Sequence, residues 1–435
     1  MRVLRRAVVG VVSAAVVVSG LALAAPARAA DAIVVWADPV HAPVISQLTA
    51  GGVSGTPVTV VTKDPATVRN ELATVRPKDA PDVLWGDLAW TGELASTESI
   101  VPVAIPKKLR GQFRGNVLAG SNVGGQRYGV PVQISNLALV TNTTLVPQQP
   151  ATFAALSDLA LKLEKDKKAR VPFALAQGEG TSPWSTFPLF SGVGGYLFGR
   201  NRDGSLNPGD VGLASRRLRD NAALIDGWNS SGLIRSTMTT DRARKAFANG
   251  NSAFFLAGPE DLQYLLGLKF AYRIGTLPPM VNGVKPVPLL TVHGFMVTRW
   301  AERHGVAEQA SRLVGRIMAR PKAQQALAGA QGWYPANTTA AASVDTGGGR
   351  IRAIGNAGVD GVPMPNIPQA AALWGPYATA WTTATAGKEA TPAKRAFRTA
   401  QRAAVAGVNG GALPPPATTT PGTPAPGPTT PPPTD

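Results

Sequence analysis

The side chains that could do covalent chemistry are few in this sequence. Its 435 residues contain no cysteine, which excludes a thiol nucleophile, a disulfide framework, a cysteine-held zinc and a lipidated cysteine. Three histidines, His41, His293 and His304, are scattered along the chain and do not suggest a histidine-rich metal site. No G-x-S-x-G, H-E-x-x-H or phosphate-loop pattern occurs, and nothing points to a cofactor. Glycosidic hydrolysis needs only two carboxylates about 5–10 Å apart. Asp82, Asp87, Glu93, Glu179, Asp226 and Glu260 supply the residue type, but no spacing selects a pair. The aromatic residues are more informative. Trp36 and Trp85 each close a β-rich run, Trp184 follows Ser182 and Pro183 at a helix start, and Trp374, Tyr377 and Trp381 fall at i, i+3 and i+7. Such a stripe is either a binding face or an ordinary buried helix face.

The elements that position these residues alternate between strand and helix. AIVVW (32–36), VTVVT (58–62) and DVLW (82–85) read as strands. Between them lie a helix after Asp38-Pro39, with Asp38 as N-cap, and a second helix over Val68–Val75. That order implies a parallel α/β sheet, with ligands gathering at the carboxyl ends of its strands. Trp36, Asp38, Trp85 and Asp87 would stand at that mouth. A second α/β unit follows, with strands ALVTN (138–142), PFALA (172–176), AFFLAG (253–258), YRIGTLP (272–278) and VHGFMV (292–297). Helices are expected at 152–163, about 183–200, 211–231, 302–320, 368–386 and from Thr391-Pro392 to Gly407. No repeat of 20–50 residues is visible.

Both ends differ from this body. Arg2, Arg5 and Arg6 precede an apolar run over Ala7–Ala25 and then Ala27-Arg28-Ala29, the order of a secretory signal peptide over residues 1–29. An uncleaved membrane helix is the alternative, and the small-residue exit favours cleavage. From 409 onward the chain reads as a disordered Pro/Thr-rich tail. Ten of the 38 prolines lie in Pro414–Asp435, so no core can form there. The threonines could carry O-linked sugars, or the tail is a plain spacer. With 44% apolar and 16% charged residues overall, the chain is globular rather than disordered in composition.

The net charge is +17, and removal of residues 1–29 leaves +13. The cations are spread out, with modest clusters at Lys162–Arg170 and Lys394–Arg402, and neither is interleaved with aromatics as nucleic-acid binding would require. Attraction to an anionic cell-wall polymer is the preferred reading of that charge. Nucleic acid is not an expected partner.

Four stretches, in order, resemble the maltose/maltodextrin-binding proteins, the extracellular solute-binding subunits of ATP-binding-cassette sugar importers. They are IVVWAD with PDVLWGDLAWTGELA, SPWSTFPLFSGVGGYLF (182–198), KAFANGNSAFFLAGP (245–259) and, most specifically, MPNIPQAAALW (364–374). The resemblance covers 31–407. It implies a two-lobed α/β fold of the periplasmic-binding-protein type II, with a hinge and an interlobe ligand cleft. One lobe would comprise 31–134 plus 292–338, the other 135–291 plus 339–408. It further implies a monomer in the periplasm or cell-wall space; the absence of cysteine, a departure from the lipidated members of the family, implies that no lipid anchor holds it. Such a protein captures an oligosaccharide, hands it to a membrane permease, and catalyses nothing.

Sugars present flat C–H faces and dense hydroxyls, which suit aromatic platforms beside hydrogen-bonding groups. Trp374 matches the family's stacking tryptophan, and Trp184 stands where the family has a stacking tyrosine. Other positions depart from the family. Its first Asp-Lys pair falls at Val40-His41, with Asp38 and His41 as substitutes, and its Asp-Arg pair falls at Ala89-Trp90, with Asp87 close by. Ser135, next to Asn136, replaces one glutamate and Ser182, near Glu179, another. Glu260 replaces a stacking tryptophan, and Ala378 an arginine. The resemblance therefore implies an oligosaccharide other than maltose. Trp36, Trp85, Trp90, Trp184 and Trp374 would contact it, with Tyr377 beside them and carboxylates at Asp38, Asp87 and Glu260. A scaffold repurposed as a wall-associated interaction protein is the alternative. A secreted glycoside hydrolase, or a binder of a polyamine or metal complex, fits less well.

Overall fold

The computed structural model describes residues 32–178, 183–344 and 347–410. Residues 1–29, which read as a signal peptide, Glu179, Ser182 and the Pro/Thr-rich tail from 411 lie outside them. The β-branched runs form strands as expected. Ile33–Ala37 pairs in parallel with Val58–Thr62 on one side and Val83–Asp87 on the other. These strands are largely buried, which is why they read as continuous apolar runs. The sheet then changes sense. Leu289–Thr298, ten residues long, lies antiparallel to Val83–Asp87 and to Val130–Ser135. Tyr334–Pro335 closes the far edge, giving a mixed sheet rather than a wholly parallel one.

A smaller antiparallel sheet places Ala138–Asn142 between Phe254–Ala257 and Tyr272–Gly275. Helices surround it, among them Phe153–Lys165, whose first turn is capped by Thr152 Oγ1 accepting from Ala155 N at 3.2 Å. Pro183–Gly192, Arg216–Ser230, Ala371–Ala384 and Ala393–Val408 pack on the same core. One buried cluster contains side chains from Ile33–Ile134 and Leu290–Ile351 together with Leu262, and another contains side chains from Leu137–Leu289 and Met364–Ala404. The chain thus passes between the cores after Ile134, at Leu289–Leu290 and again beyond Ile351.

Several elements differ from the sequence expectation, each for a local reason. The first helix begins at Ala42, not at Pro39. Asp38 instead caps the preceding turn, accepting from Val40 N and His41 N. PFALA makes only a single bridge, Ala174 to Phe255. The helix from Pro183 stops at Gly192, because Gly194 takes φ +98° and the next segment, Phe198–Arg200, forms a hairpin with Leu206–Val211. Residues 302–320 are broken at Gly305, φ +73°, and end in a π-turn at Leu313–Ile317. A further helix, Pro321–Gln331, had no counterpart in the sequence reading.

Candidate functional site

The carboxyl ends of the first and third strands hold a closed polar cluster. Asp38 Oδ2 accepts from Trp85 Nε1 and from His41 Nδ1, each at 2.7 Å. The other ring nitrogen of His41 lies 3.2 Å from Gln133 Oε1, and Gln133 Nε2 donates to Gln331 Oε1 at 3.2 Å. The rings of His41 and Trp85 pack 4.5 Å apart. Burial alone would raise the Asp38 pKa, but the hydrogen bond and charge of His41, with two backbone N–H groups, hold it below the ordinary value.

His293 completes this cluster. Its neighbours in register are Asp87 on one side and Gln133 on the other. Its ring lies 4.8 Å from that of Trp333 and 6.4 Å from that of Trp85, and its Nδ1 is buried with no partner among the described residues. Desolvation, and then the charge of His41, lower its pKa to about 3, while Asp38 opposes the shift.

Trp36 and Trp85 face opposite sides of the sheet. Trp36 is in register with Leu84, so its neighbour Trp85 points the other way. Trp36 is 3% exposed and lies under the Lys63 ammonium, 4.1 Å from the ring centroid. Trp85 is 2% exposed. Asp87 and Trp90 are half-buried. Asp87 accepts from Ala89 N at 2.9 Å, and desolvation pushes its carboxyl up to about 6 against that bond. Trp90 lies over Gly86, where a Cβ would come within 2.3 Å of the ring. Ala89, between them, packs on the other lobe's core, so this turn faces across the lobes.

On the second core, Trp184 and Trp374 are half-buried. Their helices are tied together by a 3.0 Å bond between Thr186 Oγ1 and the Tyr377 hydroxyl. Tyr377 and Trp381 are fully buried beneath, stacked with ring centroids 6.5 Å apart, and Trp381 Nε1 donates to Gln177 Oε1 at 2.9 Å. In the i, i+3, i+7 stripe, Trp374 alone therefore reaches the surface. Ser135 and Asn136 are buried where the chain leaves the first sheet. The Asn136 amide donates to Ile354 O at 2.7 Å and so stitches two crossing segments together. Glu260 folds back on Gly258 with Oε2 buried and unpartnered, and desolvation with the adjacent Asp261 raises its pKa.

The structure thus joins Asp38, His41 and Trp85 in one cluster, and anchors the helices of Trp184 and Trp374 side by side. Glu260, Ser135, Asn136 and Trp36 stand outside both groups. A hollow of about 440 Å³ between Tyr272 and Arg350 is lined by none of the nominated residues. Sequence reasoning did not select His293, Gln133 or Gln331, whose roles depend on the antiparallel insertion of Leu289–Thr298. It also missed Asn366 in the MPNIPQ stretch. The Asn366 amide donates to Thr91 Oγ1 at 3.3 Å and to Asn122 O at 3.0 Å, locking this segment onto the first lobe.

The fold so built is the two-lobed solute-binding fold. It matches a solved cyclo/maltodextrin-binding protein complexed with maltotetraose at a TM-score of 0.73, with 20% identity over 86% of this chain and 96% of that one. It also matches an extracellular solute-binding protein from Staphylococcus aureus in complex with maltose, at 0.74 and 19% identity over 87% and 97%. Residues 47–347 match the family described as bacterial extracellular solute-binding protein, and the chain belongs to that family. It is similar to a maltodextrin-binding protein of Bacillus subtilis, 25% identical over 68% of this chain and 70% of that protein. A galactooligosaccharide-binding protein of the same organism is 24% identical over 71% and 73%. A maltooligosaccharide transporter solute-binding lipoprotein of Streptococcus pneumoniae is 24% identical over 68% and 70%. No helix among the described residues is long and apolar enough to cross a membrane.

Proposed function

We propose that this protein is the substrate-binding subunit of a carbohydrate importer of the ATP-binding-cassette type. It acts outside the membrane as a monomer, taking up an oligosaccharide between its lobes and delivering it to a permease. The observation that carries this reading is the pair of half-buried tryptophans, Trp184 and Trp374, on helices tied by the Thr186–Tyr377 bond. They offer flat apolar platforms for sugar rings on one lobe, while Asp87 and Trp90 stand on the turn that faces across from the other. Its relatives, named for maltodextrin, galactooligosaccharide and maltooligosaccharide, support the ligand class.

The Asp38 carboxylate already accepts four hydrogen bonds, from Trp85, the His41 ring and the Val40 and His41 backbone. Little capacity remains there for a hydroxyl, so the ligand relies on Asp87 and the tryptophans, and maltose is disfavoured. The same saturation favours one competing reading, a scaffold repurposed for interaction at the cell wall. Calorimetric titration with maltose, maltotriose, trehalose and other short oligosaccharides separates the two. Micromolar or tighter binding of one sugar is expected. A folded protein that binds none of a broad panel would sink the importer reading.

A further inference from the structure

The C-terminal helix Ala393–Val408 carries Lys394, Arg395, Arg398 and Arg402, all exposed, and no acid. At 3.6 residues per turn these four span an arc of about 100° and a rise of about 12 Å, which makes them one stripe. The other side of the helix is committed to packing, with Phe397 against the rings of Phe190, Tyr377 and Trp381. Helix Arg216–Ser230 runs antiparallel beside it. Asp226 Oδ1 accepts from Ala393 N at 2.7 Å near one end, and Gln401 bonds Ala214 N and Val211 O at 2.9 and 2.6 Å near the other. This alignment brings the exposed Arg216 to the Arg402 end of the stripe, whereas Arg217, nine residues before Asp226 and so on the opposite side of its helix, lies over Gly194.

Among the described residues, the four stripe cations form no ion pair, and Arg216 meets Asp220 only at 3.9 Å. Five cations on one face, so weakly compensated, concentrate counterions that a bound polyanion would release. Four of them are arginines, whose planar forks match phosphate oxygens. The sequence already clusters four of these cations at Lys394–Arg402, and the helix turns them to one side while Arg216 joins from the neighbouring helix.

We propose that this face binds a linear phosphate-bearing polymer, separately from the interlobe ligand. A membrane surface fits less well, because the stripe presents no large apolar side chain for insertion and the neighbouring helix exposes only Leu224, at 37%. Nucleic acid fits less well too, since neither helix exposes an aromatic ring for bases to stack on.

The test uses the intact protein and long-chain inorganic polyphosphate, with affinity measured across a salt series. The variant K394Q/R395Q/R398Q/R402Q is expected to bind at least about tenfold more weakly, with its log–log salt slope smaller by about 3, from about 0.7 per phosphate contact. A control variant, K107Q/K108Q/K165Q/K168Q, removes equal charge from other elements and should stay within about threefold of the parent. Thermal melting of both variants verifies folding. Equal losses in the two variants, or no loss in the first, overturn the assignment. It is also overturned if phosphatidylglycerol vesicles or poly-glutamate bind the stripe as tightly as polyphosphate does.

Discussion

Gly92 is the position where the structure makes its sharpest demand. A Cβ there would stand 2.0 Å from Asn366 O, 2.7 Å from its carbonyl carbon and 2.8 Å from Ile367 Cα. Ordinary contact begins at 3.4 Å, so Gly92→Ala must drive the 366–367 backbone back by about 1.4 Å. No flexible side chain can absorb that shift, because every obstructing atom is backbone. The displacement also breaks the Asn366 bonds to Thr91 and Asn122. Overpacking costs about 2 kcal/mol and each hydrogen bond about 1 kcal/mol, for a loss of about 4 kcal/mol. Urea unfolding, followed by tryptophan fluorescence and far-ultraviolet dichroism together, measures it. Asn366→Ala removes only the two bonds and should cost about 2 kcal/mol. Gly329→Ala, in the open last turn of helix Pro321–Gln331, should instead stabilise by about 0.5 kcal/mol. If Gly92→Ala falls within about 1 kcal/mol of the parent, the lobe–lobe contact at Asn366 is not as tight as described.

Other expectations follow from the same geometry. Trp374→Ala should weaken sugar binding by about 2 kcal/mol, roughly thirtyfold, with little change in melting temperature. Trp381→Ala, by contrast, removes a fully buried ring and should cost about 3–5 kcal/mol of stability. Asp87, raised from 3.8 to about 6 on folding, favours the folded state below pH 4, and that contribution is lost as pH rises to about 6. Asp87→Asn should therefore flatten the stability profile across that interval, as followed by urea midpoints. His293 has the opposite sign. Lowered from 6.5 to about 3, it leaves stability intact above pH 6.5 and erodes it as pH falls toward 3, so His293→Gln should blunt acid destabilisation. An unchanged acid limb in that variant would contradict the desolvation of His293 and its buried, unpartnered Nδ1.

Much of the fold was legible because the strands are apolar runs and the helices are punctuated. ALVTN at 138–142 is the strand Ala138–Asn142 itself, and Thr152 caps the helix that follows. The stripe at Trp374, Tyr377 and Trp381 was also legible as a helix, although only burial could separate its exposed member from its buried ones. The illegible parts depend on pairing between distant segments. VHGFMV reads as a strand, but nothing local says that it enters antiparallel between Val83–Asp87 and Val130–Ser135. That insertion turns His293 from an incidental strand residue into a neighbour of Asp87, Gln133 and Trp85. Asp38 is misleading for the opposite reason. Its place before a proline suits a helix cap, yet its carboxylate caps a turn one step earlier and takes the Trp85 indole from across the sheet.

The late position of the strand Leu289–Thr298 also bears on how the chain is made. Val83–Asp87 and Val130–Ser135 flank it in the sheet, so they cannot be joined until about 150 further residues have been synthesised. Until then the first lobe lacks its middle, and the nascent chain has two strand edges waiting for a partner. A ribosome-bound chain therefore cannot complete its first sheet until that strand has emerged. Such a delay keeps a chain threadable through a translocation pore, and it leaves those unpaired edges as the surface a holding chaperone would have to cover.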